Sequence, residues 1–360
     1  MRLLVTGGAG FIGSHFLRLL LPGPGPGPGP GPGPGPGPGA GAGPGRPGPE
    51  EPGGFRVTVL DKLGHGSSGD ALRAAERLPG FRFVRGAVED AALVDRLMPG
   101  HDAVVHLAAE SHVDRSIEGA VPFAVTSAVG TQVLLDAARR HGVGRFLQVS
   151  TDEVYGSVAD GAWTEEQPLA PRSPYAAAKA VGDLLALACH VTHGLDVVIT
   201  RGSNTYGPRQ YPEKIIPLFA TRLLDGLPVP LYGDGQHVRD WLHVEDHCRG
   251  ILAALTSGRS GEVYHLGGGC ELTNRDLTGR ILREYGAGWE SVRRHPDRKA
   301  HDRRYALDCA KADTELGWRP RIPFARGLRD TLRWYRENRD WWEPLTGAAD
   351  ASRGAGRAAS

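Results

Sequence analysis

The chain has 360 residues, with 42 Lys and Arg against 41 Asp and Glu, a formal net charge of +1 and 40% hydrophobic residues. A balanced charge without a basic block excludes the electrostatic footprint of a nucleic-acid binder, because phosphates need clustered cations to displace their counterions, and this apolar content excludes disorder throughout. Cys189, Cys248, Cys270 and Cys309 are scattered and the apolar runs fall short of the ~20 residues that span a bilayer, so no disulfide framework, metal site or membrane span is expected, and a reducing, cytoplasmic location is.

In chain order, the first strand, Leu3–Thr6, starts too near the N-terminus to leave a signal peptide. It runs into Gly7, Gly10 and Gly13, spaced G-x-x-G-x-x-G, and a helix beginning near Phe11. Glycines so spaced let the backbone turn tightly, approach a pyrophosphate and pack helix on strand, with the helix N-terminus facing the anion. Nine Pro-Gly repeats follow over Pro22–Gly39, and a Pro/Gly-rich stretch continues to Gly54. Glycine at every second position excludes collagen, and alternating proline removes every second amide donor. A solvated, disordered insertion is expected; the alternative is a partner-binding polyproline tract, although the flanking side chains such tracts use are almost all absent. The second strand, Arg56–Asp61, ends in a carboxylate 48 positions after Gly13, and leaving out the 28 residues Pro22–Pro49 restores a spacing of 20. That is about the distance in sequence at which an acidic residue meets the adenosine ribose. Asp61 would repel a 2′-phosphate, which favours NAD over NADP.

Further strands at Phe81–Arg85, Ala103–Leu107, Arg145–Ser150 and Val197–Arg201 alternate with helical stretches at Ala91–Met98, Phe123–His141 and Tyr175–His193. The alternation predicts an α/β fold, a Rossmann-type doubly wound parallel sheet with ligands beyond the carboxyl ends of its strands. The expected domains are 1–200 for the dinucleotide, with 22–54 as the insertion, and 201–345 as a smaller C-terminal α/β substrate domain, with about 239–266 returning to the first and 346–360 a disordered tail. Trp334, Trp341 and Trp342 are expected in core packing rather than as ligand platforms.

Tyr175 and Lys179 stand four apart on one face of a helix, so an ammonium beside the phenol would lower a pKa that is otherwise about 10. The same spacing occurs on ordinary helices. Upstream, Thr151, Asp152 and Glu153 follow the strand Arg145–Ser150. Two adjacent carboxylates there can divide acid and base roles if their surroundings push their pKa values apart, or can simply form a solvated turn.

At this point the motifs accumulate: HLAAESHVDRSI at His106–Ile117, STDEVYGS at Ser150–Ser157, SNTYGPRQYPEKIIPLF at Ser203–Phe219, YGDGQHVRDWLHVEDHCRGI at Tyr232–Ile251 and HDRRYALD at His301–Asp308. Over roughly residues 1–21 and 55–340 the chain resembles the extended short-chain dehydrogenase/reductase family, and more closely the dTDP-glucose 4,6-dehydratases. Related epimerases and decarboxylases share the glycine turn and Y-x-x-x-K but do not usually carry the Asp-Glu pair. The resemblance implies tightly held NAD and a lyase reaction. Tyr175 would take the sugar C4 hydroxyl proton as hydride leaves C4; Glu153 would take the C5 proton while Asp152 protonates the departing C6 hydroxyl; hydride would return to C6, giving a 4-keto-6-deoxy sugar nucleotide. Thr151 would bind the sugar near O4 and Lys179 the nicotinamide ribose.

The resemblance further implies cofactor contacts from Gly7, Gly10, Phe11, Ile12, Gly13, Asp61, Lys62, Leu63, Gly64, Ala87, Val88, Leu107, Ala108, Ala109, Glu110, Ser111, Thr126, Tyr175, Lys179 and Thr205. It implies contacts to a dTDP-sugar from Ser111, Thr151, Asn204, Lys214, Ile215, Pro230, Leu231, Tyr232, Arg239, Asn274, Asp297, Arg298 and His301, and a homodimer formed through Phe123–His141 and Tyr175–His193. Arg239 suits a diphosphate because its guanidinium is a planar donor fork; a salt bridge to Asp240 or Asp246 is its structural alternative. Departures from the family pattern are Ala87 where an Asp meets the adenine amino group, Gly64-His65-Gly66-Ser67-Ser68 in place of Thr-Tyr-Ala-Gly-Asn, and Thr205 in place of Asn. They predict weaker NAD retention. A 4,6-dehydratase or 4-epimerase acting on a UDP- or GDP-sugar, and a non-catalytic NAD-binding regulator, stand as alternatives.

Overall fold

The structure, a computed structural model, describes residues 1–21, 54–67 and 69–346, so the expectations for the insertion and the tail fall outside the described residues except at Gly54 and Thr346. Twelve strands are described: β1 (Arg2–Thr6), β2 (Arg56–Asp61), β3 (Phe81–Arg85), β4 (Ala103–His106), β5 (Arg145–Thr151), β6 (Val197–Gly202), β7 (Asn204–Tyr206), β8 (Val229–Tyr232), β9 (Val238–His243), β10 (Val263–Leu266), β11 (Glu271–Thr273) and β12 (Val292–His295). Seven form one parallel sheet in the order β10-β6-β5-β4-β1-β2-β3. This is the doubly wound α/β sheet expected from the alternation.

Its central strands are apolar throughout because both faces are covered. Leu3 and Val5 point to one side, among Phe16, Leu17 and Leu20 of the helix Phe11–Leu20 and Ile251 and Leu255 of the helix Val244–Ser257. Leu4 points to the other, among Val94, Leu134, Leu135 and Ala186 from three further helices. From β1 the chain winds outward to β2 and β3, then crosses back to β4, β5 and β6. The order therefore reverses between β1 and β4, and the loops at their carboxyl ends diverge to leave a crevice.

A smaller unit stands over that crevice. It contains the sheet β11-β9-β7 and the pair β12-β8, with Phe219, Ile281, Leu328 and Trp342 in its core. Trp334 and Trp341 pack beside that core, edge to face at 5.0 Å. Residues 239–266 do not return to the large sheet as one piece: β9 belongs to the three-stranded sheet, and only the helix Val244–Ser257 and β10 join the larger body. The helix expected at Phe123–His141 begins at Val121 and contains a π-helical turn, Val125–Val129. By length and apolar content Val121–Arg140 is the one helix among the described residues that would suit a bilayer, yet half of it is buried against the protein.

Candidate active site

The glycine turn is fixed by contacts no side chain would survive. Gly7 has φ +72°, and a Cβ there would lie 2.6 Å from the Ala108 nitrogen; one on Gly13 would lie 2.2 Å from the Gly7 carbonyl oxygen. The helix Phe11–Leu20 starts at Gly10 without a side-chain cap, which leaves its first N–H groups facing the crevice. Beside this anion cradle, Asp61 is buried; its carboxylate accepts from the Ala9 amide at 2.9 Å and the Leu63 amide at 2.8 Å. Burial raises its pKa, and those amide bonds work against the shift. A third, longer bond comes from the Ser67 hydroxyl at 3.4 Å; a carboxylate offers about four acceptor positions, so capacity is left for a ribose hydroxyl. The residues present thus fit a dinucleotide from pyrophosphate to ribose.

A cavity of about 290 Å³ runs along this crevice, lined by all the expected cofactor residues but one. Leu63 is the exception: its amide serves Asp61, while its side chain packs against the hydrophobic core. Lys62 bridges to Glu110 at 2.8 Å and reaches Thr126 at 3.4 Å, tying the β2 loop to the β4 loop.

The carboxylates sit where β5 ends. Thr151 caps a 3₁₀ turn, Asp152–Tyr155, through its hydroxyl to the Glu153 amide at 3.3 Å. Tyr155 anchors the turn from below, with its hydroxyl 2.7 Å from His265 and in contact with Arg201, which pairs with Asp183 at 2.9 Å. Asp152 is buried with one carboxylate oxygen accepting from Thr151 at 3.1 Å and the other without a partner. Burial first, then Glu153 and Asp240, push its pKa well above the ordinary value. Burial also raises Glu153, but Arg239 and Lys214 pull it back. The environments therefore differ in the way acid and base roles require.

Tyr175 opens the helix Pro174–His193, its amide donating to Ser116 Oγ at 3.2 Å. Burial and the charges of Glu153 and Asp152 raise its pKa, and the Thr151 hydrogen bond lowers it. The Lys179 ammonium donates to the Val149 carbonyl at 2.7 Å, and burial lowers its own pKa against the pull of Asp183. The Val149 carbonyl thus fixes the ammonium on the face of the helix that carries Tyr175.

A second cavity, about 180 Å³, opens under the smaller unit. Glu153, Asn204 and Lys214 line both cavities, so the proposed base stands at their seam. Ile215, Pro230, Leu231, Tyr232, Asn274, Arg298 and His301 line the second cavity, whereas Ser111 and Thr151 line only the first. Asp297 lines neither; it holds His301 at 2.7 Å and His237 at 3.3 Å. Arg239 makes no salt bridge to Asp240 or Asp246. Two of its N–H groups go to the Val238 and Asp302 carbonyls, its plane lies 4.3 Å from the Tyr305 ring centre, and its remaining donors face the cavity residues. Residues that sequence reasoning missed include His65, Glu213 and His112: His65 meets Glu213 at 2.6 Å and His112 approaches it at 3.7 Å. No local spacing signals a contact 148 positions apart.

Comparison with known proteins places this geometry. The sequence model of the GDP-mannose 4,6 dehydratase family matches residues 54–331. The chain is 57% identical to a dTDP-glucose 4,6-dehydratase of Streptomyces antibioticus over 99% of this chain and 100% of that protein. It is 56% identical to one from Streptomyces niveus over 98% of each. The chain belongs to the dTDP-glucose 4,6-dehydratase family. A solved member, DesIV from Streptomyces venezuelae with NAD bound, superposes with a TM-score of 0.86 at 55% identity, covering 96% of this chain and 100% of that one. Membership makes the chain an NAD-dependent hydro-lyase of the Rossmann fold.

Proposed function

We propose that this enzyme converts dTDP-glucose to dTDP-4-keto-6-deoxyglucose and water, as a cytoplasmic homodimer that acts on neither membranes nor nucleic acid. The observation that carries the reaction is the buried Asp152 and Glu153 pair with unequal environments at the seam of two cavities. NAD, when bound, supplies a hydride acceptor for C4 and later a donor for C6. Tyr175 takes the C4 hydroxyl proton; burial and the Glu153 carboxylate raise its phenol pKa, and the positive charge of an oxidised nicotinamide, when bound, would offset that. Thr151 holds O4 and steadies Tyr175. Lys179, fixed by the Val149 carbonyl, holds the nicotinamide ribose. With a ketone at C4, the C5 proton is acidic, and Glu153, kept more ionisable by Arg239 and Lys214, removes it. Asp152, kept protonated by its surroundings, gives its proton to the departing C6 hydroxyl. Arg239, Asn274 and His301 hold the diphosphate in the second cavity.

Exposed Val121, Val129, Val181, Leu184 and Val191 on the helices Val121–Arg140 and Pro174–His193 support pairing through that face. The reaction is tested by proton NMR of dTDP-glucose, with UDP-glucose in parallel, incubated with enzyme and added NAD. A new C6 methyl doublet from dTDP-glucose alone is expected; a galactose-type spectrum, or a doublet only from UDP-glucose, would overturn the assignment.

A further inference from the structure

Away from the acid and base turn, the described residues bring together one cluster of three side chains of metal-ligating type: His237, Asp297 and His301. His237 stands just before β9, and the other two lie in the loop after β12, where Ala300 takes a left-handed φ of +51° and folds residues 297 and 301 toward each other. Asp297 reaches both rings. One carboxylate oxygen is 2.7 Å from His301 Nδ1 and the other 3.3 Å from His237 Nε2. The rings themselves stack, with centres 3.6 Å apart and planes at 14°. One ligand atom from each residue lies within 4.8 Å of the other two.

A tetrahedral zinc ion with bonds of about 2.0–2.2 Å sets its ligand atoms roughly 3.3 Å apart. The His237 to Asp297 distance already has that value, and Asp297, whose side chain is 44% exposed, has room to widen the shorter one. The same exposure gives an ion its way in and leaves coordination positions to water. Both rings are shielded, and burial lowers both, His301 to about 4, so at neutral pH each imidazole is unprotonated, the form that binds a metal. Burial opposes ionisation of Asp297, yet the bond from His301 and the Arg298 amide hold its pKa below the ordinary value. The cations that act on the two rings are engaged elsewhere: Arg303 with Asp234 at 2.9 Å, Arg298 with Asp114 at 3.1 Å and Arg239 with two carbonyls. Two neutral nitrogens and one carboxylate suit zinc or a neighbouring first-row ion, whereas magnesium and calcium take oxygen ligands.

We propose that His237, Asp297 and His301 bind a divalent transition-metal ion, zinc in the first instance, which pins the 297–301 loop to the start of β9. His301 lines the second cavity, so the ion steadies one wall of it from outside. The assigned reaction draws no step from this ion. Cysteine spacing gives no sign of the site because no cysteine takes part in it.

The test takes the full, untagged chain, stripped with a chelator, and titrates it calorimetrically with zinc chloride, with cobalt(II) in parallel because its visible absorption reports the ligand set. The wild type should bind zinc at this site, with an unfolding temperature that rises as zinc is added. His237→Asn and Asp297→Asn should each weaken that binding by about a hundredfold or more, since loss of an outer-shell partner alone costs about 10–100-fold. His141→Asn, which removes a ring paired with Asp95, should leave it unchanged. Metal-free unfolding temperatures within a degree or so of wild type show that the variants fold, and the partly exposed Asp297 is the position least able to disturb the core. Absence of zinc binding at micromolar concentration, or binding that is equal in the wild type and both ligand variants, would overturn the proposal. The titration contains neither NAD nor sugar nucleotide, so its failure and failure of the dTDP-glucose assay are read separately.

Discussion

Asp152 and Glu153 are neighbours on one turn, yet the protein treats them differently. Asp152 is walled in with Glu153 and Asp240, which with burial raise its pKa, while the Thr151 hydroxyl and Arg239 favour its ionised form. Glu153 faces Arg239 and Lys214 across the seam of the cavities. An acid must carry its proton and a base must not, so turnover should fall as pH rises through the elevated Asp152 pKa and as pH drops through that of Glu153. Glu153→Gln and Asp152→Asn should each lower kcat by about 10²–10⁴, the usual contribution of one acid or base. Neither residue takes the C4 proton, and removing the Glu153 charge relieves one cause of the raised Tyr175 pKa. On adding dTDP-glucose, both variants should therefore still show the absorbance of reduced nicotinamide, at a rate no slower than the wild type's, while the methyl product lags. Tyr175→Phe should lose both signals. If Glu153→Gln abolishes nicotinamide reduction as completely as Tyr175→Phe does, the elimination role is wrong.

Between elements, the β2 loop is clasped to the segment that follows β7. His65 meets Glu213 at 2.6 Å and lies edge to face with Tyr211 at 4.9 Å. All three residues line the first cavity. Breaking a partly exposed pair of this kind costs about 1 kcal/mol, so His65→Ala should speed NAD release roughly fivefold with kcat for the sugar little altered, as read by stopped-flow displacement. An unchanged release rate would mean that the loop is held by the Lys62 to Glu110 bridge alone. These contacts also mark how far the sequence could be read. The glycine turn, Asp61 and the sheet were legible because each rests on local spacing, and the 20-residue interval survived once the Pro-Gly tract was set aside. The acid and base turn was legible as a motif, but the inequality of its two carboxylates was not, because Asp240, Arg239 and Lys214 come from distant strands and loops. Lys179 was legible in part for a similar reason: four-residue spacing places it on the same helix face as Tyr175, while the Val149 carbonyl that anchors its ammonium comes from another element. The π turn was illegible too, since weak helix formers such as Val, Thr and Ser in Val125–Val129 do not distinguish a π turn from an α-helical one.

At the scale of the whole molecule, histidine burial sets the response to acid. His106 sits between the Thr6 hydroxyl at 2.7 Å and the Thr131 hydroxyl at 3.1 Å; His265 lies 2.7 Å from the Tyr155 hydroxyl; His247 lies 2.7 Å from the Thr205 hydroxyl. With His243 they are all buried, and burial lowers His106 and His265 to about 3 and His243 and His247 to about 4. In the unfolded chain each should titrate near the ordinary value of about 6.5. A folded pKa below the unfolded one means that the unfolded state takes the proton first, so this stability is whole above about pH 6.5 and drains away as pH falls toward the folded values. Each such histidine contributes a slope of about 1.4 kcal/mol per pH unit within that window. Asp61, Asp152 and Glu153, whose folded pKa values are raised, work the other way and offset part of the loss at the acid end. Set against a typical total of about 5–15 kcal/mol, several histidines acting together should lower the unfolding temperature steeply from pH 6.5 to 5. Calorimetry in buffers of different ionisation enthalpy should find more than one proton taken up on unfolding near pH 5.5. An unfolding temperature flat from pH 7 to 5 would show that these rings are protonated in the fold, and the neutral threonine and tyrosine partners assigned to them would have to be replaced by acceptors.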